Sequence, residues 1–193
     1  MLKSPQEYRQ GPLIDREGYF ELMRGLDTDF SEYLSRNSIS CTEQEAVITG
    51  GSALVFHGCL EKATLDIDFI ELSSVLDKYL LQREDKVFNS ASQVFLYHFP
   101  EDFLDRSVPI DTGDTKIRFS LVSLEDLVVS KLPSYRDKDI ADIRNTEVVR
   151  RLDLDLLDRL VREKAQYAIN KTAESILRAV YSEYRRDIKP IGG

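Results

Sequence analysis

In 193 residues the chain carries 34 acidic against 26 basic side chains, a formal charge of -8, with 42% hydrophobic residues. That suffices for one buried core with a packed helical extension, and it excludes a protein that holds nucleic acid mainly by a broad Lys/Arg surface. Cys41 and Cys59 alone exclude a disulfide framework or a thiolate zinc site; with no leader-like N-terminus and no apolar run near the roughly 20 residues that span a bilayer, the expectation is a soluble cytoplasmic protein with reduced thiols and no membrane association.

From Asp15 to about Ser35 the apolar residues Tyr19, Phe20, Leu22, Met23, Leu26, Phe30, Tyr33 and Leu34 recur at helical spacing, which predicts an amphipathic packing helix. Ala46-Val47-Ile48-Thr49 is β-branched and apolar and stops at Gly50-Gly51, a buried strand emptying into a tight turn. Ser52 is the expected N-cap of a short helix from Ala53 to about His57, closed by Gly58. A second strand is predicted over Ile67 to Glu71, then a helix from Ser73 to about Gln82. Two further strands are expected over Gln93 to Phe99 and Lys116 to Val122, the latter with cleaner alternation. Ser123-Leu124-Glu125-Asp126 resembles a capping box that opens a helix ending near Leu132, before Pro133.

Beyond Pro133 only helical periodicity remains, over Asp139 to Arg150, Leu154 to about Ala168 and Thr172 to about Arg186. The predicted fold is therefore α+β, a mixed-sheet core flanked by helices over 1–150 and a C-terminal helical extension over 151–193 packed on it. The final helices concentrate basic residues, among them Arg159, Arg162, Lys164, Lys171, Arg178, Arg185, Arg186 and Lys189. A solvated helix face explains these better than a nucleic-acid surface. Pro190 to Gly193 reads as a frayed end.

The chemistry concentrates in two short stretches. Asp66 and Asp68 stand two apart at the start of a strand, so both carboxylates project from one face and reach one cation site. Hard oxygen donors in that number suit Mg²⁺, or Mn²⁺, sharing its shell with water and phosphate oxygens. Upstream, Gly50 and Gly51 let backbone amides approach a polyphosphate, and the Ser52 hydroxyl adds a donor. The helix and turn from Ala53 to Lys62 should return the chain so that the Asp strand lies beside the strand ending at Gly50. There is neither a Walker A ending nor a dinucleotide-binding fingerprint.

Thr49-Gly50-Gly51-Ser52 followed by Asp66-Ile67-Asp68 resembles the signature of the DNA polymerase β superfamily of nucleotidyltransferases. Downstream, Ser123 to Leu132, with its Lys131-Leu132 pair, and Arg136-Asp137-Lys138-Asp139-Ile140-Ala141-Asp142-Ile143 look like the AbiEii and MenT group, known mainly as toxins of toxin-antitoxin systems. The match runs from about Val47 to Ile143. It implies that Gly50, Gly51 and Ser52 bind a nucleoside triphosphate, that Asp66 and Asp68 hold the divalent metal, that Lys131 contacts the phosphates, and that Asp139 or Asp142 completes the site. The implied reaction moves NMP to a hydroxyl of tRNA or of a protein, with a cognate antitoxin as partner. A non-catalytic antitoxin-like module of the same fold and a small-molecule (antibiotic) nucleotidyltransferase are the alternatives.

The sequence departs from the superfamily in one respect. The strands expected over Val94 to Phe99 and Lys116 to Val122 carry no central carboxylate, and Asp111 and Asp114 fall in a turn, so a third strand-borne metal ligand is missing. His57 and His98 read as structural, and Asp102 and Arg106 are assigned no role.

Overall fold

The computed structural model describes residues 12–90, 99–113, 116–134, 136–168 and 170–189. Its centre is a five-stranded mixed sheet in the order β5-β4-β2-β7-β6, built from β2 (Gln44–Thr49), β4 (Ile67–Leu72), β5 (Phe88–Ser90), β6 (Val108–Pro109) and β7 (Ile117–Leu121). A two-stranded antiparallel sheet joins β1 (Leu13–Ile14) to β3 (Ala63–Thr64). In the main sheet β2 runs antiparallel to β4 and parallel to β7, so the strand carrying the Asp pair does lie beside the strand that ends at Gly50. The α+β mixed sheet flanked by helices is the expected fold class.

Alternation divides the sheet into two rows of side chains. Ala46, Ile48, Ile67, Phe69, Ile117 and Phe119 form one row and are shut off from solvent. Phe69 lies at its centre, stacked on Phe88 at 6.1 Å and on Phe119 at 6.0 Å between ring centroids. The other row holds Val47, Thr49, Asp68 and Ile70, with Asn89 level with Asp68 on β5 and Ser120 level with Val47 on β7. Asp68, one of the carboxylates singled out in the sequence, lies in that second row.

Helix α1 (Arg16–Arg36) opens on Asp15, whose carboxylate accepts from Gly18 N, and buries Tyr19, Met23, Leu26, Phe30 and Leu34 along one stripe. The same stripe carries a buried Asp27, which accepts from the backbone N–H groups of Lys116 and Ile117 at 2.8 and 2.7 Å and so anchors the start of β7. Helix α3 (Ser74–Leu81) is N-capped by Ser73 and joins α1 through Tyr79, whose ring lies 5.3 Å from Phe30.

Two expectations need correction, and the short strands β1, β3, β5 and β6 go beyond those expected. The short helix α2 spans Gly50–Phe56, with Thr49 as N-cap, so Ser52 lies inside its first turn instead of capping it. Gly50 has φ +71, a turn that only glycine makes cheaply, and this starts the helix directly at the strand exit. The helix expected over Asp139 to Arg150 is two, α5 (Asp137–Ile143) and α6 (Thr146–Arg151), because Asn145 turns its carboxamide oxygen to Glu147 N at 2.8 Å and caps a new helix. β5 was not anticipated: at three residues, Phe-Asn-Ser, it is too short to show a period. The strand expected over Gln93 to Phe99, with His98, falls outside the described residues except for Phe99, as do Asp114 and Pro190 to Gly193.

Helix α4 (Leu124–Lys131) is N-capped by Ser123, which accepts from Asp126 N at 3.0 Å. It is followed by α5 and α6, then by α7 (Leu154–Gln166) and α8 (Lys171–Ile188), with no strand among the described residues after β7. Glu125 on α4 accepts from Asp153 N at the head of α7. On α8, Tyr184 donates to Ile143 O at 2.9 Å and Asp187 pairs with Arg144. These contacts buttress the two helices, α4 and α5, that carry Lys131, Asp139 and Asp142. No helix among the described residues is long and apolar enough to cross a membrane.

Candidate active site

Asp68 is registered directly opposite Thr49, the last residue of β2, and this puts its carboxylate against the glycine turn. A Cβ built on Gly50 would sit 2.8 Å from Asp68 Oδ2. Gly50 is thus required twice, for its left-handed φ and for the space that the carboxylate occupies. On the opposite side Asn89 Nδ2 donates to Asp68 Oδ1 at 3.3 Å. Asp66 immediately precedes β4, two residues away.

The electrostatics around Asp68 are those of a partly compensated negative site. Burial pushes the Asp68 carboxyl above the usual carboxylate range and the neighbouring Asp66 pushes it further, against the Asn89 hydrogen bond and the fields of Lys138 and Lys131. Hard oxygen donors whose charge no cation among the described residues fully balances fit a divalent cation. Among the described residues no group of three His, Cys, Asp or Glu side chains converges to hold a metal ion. The register explains why. Level with Asp68, the neighbour on β5 is Asn89, and on the far side of Thr49 the chain leaving β7 presents Val122, fully buried, with its N–H on Ile48 O.

Ser52 is 1% exposed, and its hydroxyl donates to Thr49 O at 3.1 Å. It braces the turn from within, while the backbone N–H groups of Gly50, Gly51 and Ser52 belong to the first helical turn, where they have no intrahelical acceptor.

Lys131, at the end of α4, is brought to the same region, since its charge acts on Asp68. The ammonium donates to Asp139 Oδ1 and, at 3.0 Å, to Asp142 Oδ2. Asp139 Oδ2 in turn accepts from Ser134 Oγ at 2.7 Å and from Arg136 Nε at 2.6 Å. Burial raises the Asp139 carboxyl, but Lys131, Ser134 and Arg136 together outweigh it and hold the group below its ordinary value. Asp139 and Asp142 are 1% and 0% exposed. The structure therefore gathers all the residues singled out in the sequence into two adjoining groups, the glycine turn with Asp66 and Asp68, and Lys131 with Asp139 and Asp142. Asn89, Lys138 and Ser134 were not singled out for the site. Asn89 carries no motif, and only the strand pairing reveals it.

With this geometry in view, the comparisons with known proteins divide. Residues 22–189 match the family described as nucleotidyltransferase of unknown function (DUF6036). The chain belongs to that family. No curated protein and no solved structure matches significantly. The matched span starts within α1, contains both groups of site residues and ends at the last described residue, so it takes in the C-terminal helices together with the sheet.

Other polar residues of this family member have structural partners. His57 Nε2 donates to Val122 O at 2.8 Å, and burial lowers its pKa, which keeps the ring neutral. Arg106 donates to both oxygens of the fully buried Asp126 at 2.9 and 2.8 Å and pairs with Asp102, tying the 3-10 turn Phe103–Arg106 to the head of α4. Asp111 accepts from Gly113 N in a turn. Both cysteines are unpaired, and burial lifts the Cys59 thiol to about 11. On the last helices Arg159, Arg178, Arg185 and Arg186 pair with Glu163, Glu174, Asp158 and Asp187, which leaves those four arginines locally compensated.

Proposed function

We propose that the chain is a metal-dependent nucleotidyltransferase that transfers NMP from a nucleoside triphosphate to an acceptor hydroxyl. The observation that carries this reading is the seating of Asp68 against Gly50, since it unites a phosphate-approachable turn with a pair of metal-fitting carboxylates. Asp66 and Asp68 would hold Mg²⁺ or Mn²⁺, which when bound neutralises phosphate oxygens and polarises the α-phosphorus. Gly50, Gly51 and Ser52 present first-turn amides to the polyphosphate. Two of the three Lys131 donors are held by Asp139 and Asp142, so the ammonium is fixed and its third N–H is left to meet a phosphate oxygen. In the transfer the acceptor oxygen bonds to the α-phosphorus as the bond to the β-phosphate oxygen breaks, with pyrophosphate and the acceptor's proton released. Positioning and charge neutralisation account for the acceleration.

In this reading Asp139 and Asp142 serve the site through Lys131 and not as metal ligands. The resemblance to the AbiEii and MenT group supports a toxin role with a cognate antitoxin and with tRNA or a protein as acceptor. The compensated arginines of α7 and α8 give no preference for RNA. Asp68→Ala should abolish transfer of label from an α-labelled nucleoside triphosphate to acceptors in a cell extract while circular dichroism shows the fold retained; undiminished labelling would sink the assignment. One observation favours a second reading, a non-catalytic module of the same fold: no third carboxylate joins the pair among the described residues. Calorimetry separates the two, since such a module would bind nucleotide without dependence on Mg²⁺.

A further inference from the structure

Resting on the proposed metal site, we infer that Asn89 is a positioning residue that holds Asp68 and sets the charge of the site, so that the divalent cation is taken up as its complex with a nucleoside triphosphate and not alone. The inference comes from β5, a strand too short to be noticed in the sequence. It pairs parallel to β4 with Asn89 level with Asp68, on the same face of the sheet. Asn89 Nδ2 donates to Asp68 Oδ1 at 3.3 Å, while Asp68 Oδ2 faces the space that a Cβ on Gly50 would fill. Asn89 thereby holds the carboxylate through one oxygen, while the missing side chain of Gly50 leaves room for the other.

The second half of the inference concerns charge. Asn89 is the side chain directly beside Asp68 on the neighbouring strand, the place from which a further carboxylate would reach the same cation. It is an amide. Asp66 and Asp68 supply two negative charges, and the fields of Lys131 and Lys138 reach Asp68 and offset part of them. A divalent cation bound there alone gains little, whereas one arriving with a polyphosphate brings the missing anionic oxygens, and these also meet Lys131. The neutral amide makes metal uptake conditional on nucleotide.

The test is Mn²⁺ binding, followed by electron paramagnetic resonance with and without a non-hydrolysable nucleoside triphosphate analogue, on wild type, Asn89→Ala, Asn89→Asp and Asp68→Ala. The expected result is weak binding of Mn²⁺ alone by wild type and clearly tighter binding with the analogue. Asn89→Ala should weaken Mn²⁺ binding in the presence of the analogue by about tenfold, as losing a partner of a metal ligand does. Asn89→Asp should do the opposite for Mn²⁺ alone, tightening it by about tenfold and reducing the benefit of the analogue. A residue that merely packed or braced the strand would not give opposite effects for the two substitutions. Equal loss in both variants, or no change in either, overturns the inference about Asn89. If wild type binds Mn²⁺ no better than Asp68→Ala under both conditions, the metal site itself fails and the inference falls with it.

Discussion

Asp66 and Asp68 stand two apart at the head of a strand, Asp139 and Asp142 three apart on one face of a helix, and the chain treats the two pairs in opposite ways. The helical pair is buried and balanced: Lys131 donates to both carboxylates, and Arg136 and Ser134 hold the outer oxygen of Asp139. Among the described residues the strand pair has Asn89 as a hydrogen-bonding neighbour and the fields of Lys131 and Lys138 to offset it, and burial and the neighbouring Asp66 still make Asp68 harder to ionise. Asp68 is drawn partly out of water beside a second carboxylate without a full complement of cations, which carries a cost that is recovered when a cation binds. The difference teaches that an aspartate pair is a candidate metal site when its charge is unbalanced, and a structural brace when it is balanced. Spacing alone does not tell the two apart.

The sharpest way to break this comparison is to remove one member of each pair. Asp142→Ala strips a partner from a buried ammonium and should cost about 3–5 kcal/mol in chemical denaturation. Asp66→Ala, at a partly exposed position just ahead of β4, should leave stability within about 0.5 kcal/mol of wild type. Similar losses in the two variants would show that the pairs are not distinct. Next in size is Lys131→Met, expected to lower kcat for nucleotide transfer by about 10²–10³ through loss of a fixed charge at the phosphates. Lys131→Arg should not restore the rate, because a planar guanidinium cannot take up the two-aspartate seat of an ammonium. A kcat near wild type for Lys131→Met would confine Lys131 to a structural role.

Much of this was readable from residue order alone, and the parts that were not share a physical cause. The α+β order, the strand ending at Thr49 and the Ser123 cap follow from local periodicity and turn chemistry, which a window of ten residues contains, and the return of the Asp strand follows from the short helix and turn that connect it. The partner of each acidic pair did not follow, because partnership is decided between elements. Asn89 meets Asp68 across 21 residues and Lys131 meets Asp142 across 11, and no local pattern encodes either contact. Ser52 illustrates the limit from the other side. As a small hydroxyl residue after two glycines it reads as a cap, yet Gly50 turns the chain so tightly that Thr49 takes the cap position and Ser52 folds back onto its carbonyl.

Gly50→Ala tests whether the strand pair depends on the turn beside it. A left-handed φ costs a residue bearing a Cβ about 1–2 kcal/mol, and at this position the new methyl also meets Asp68 Oδ2. The expected outcome is a stability loss of that order together with weakened Mn²⁺ response, since the carboxylate must rotate away. A stability loss with the metal response intact would show that Gly50 serves the backbone alone.

The smallest expected effect concerns pH, and it separates the pairs by sign. A carboxyl whose folded-state pKa is raised, as that of Asp68 is by burial and by Asp66, destabilises the fold when ionised. Its penalty is absent below the ordinary carboxylate pKa and complete above the raised one. Asp68→Asn should therefore unfold at a slightly higher temperature than wild type at neutral pH without metal, and the gain should vanish as the pH falls to about 4. Asp139 has the reverse sign: Lys131, Ser134 and Arg136 overcome its burial and depress its pKa, so its contribution is complete above the ordinary value and is lost only as the pH falls through the depressed one. Asp139→Asn should thus lower the melting temperature throughout the range in which Asp68→Asn raises it, and the deficit should persist at the pH where the Asp68 gain has gone. Mg²⁺ added together with a non-hydrolysable nucleoside triphosphate analogue should close the gap between Asp68→Asn and wild type by stabilising wild type more than the variant. Melting curves for the two variants that shift in the same direction with pH would mean that both pairs are balanced within the chain, and Asp66 and Asp68 would then lose their claim to a metal.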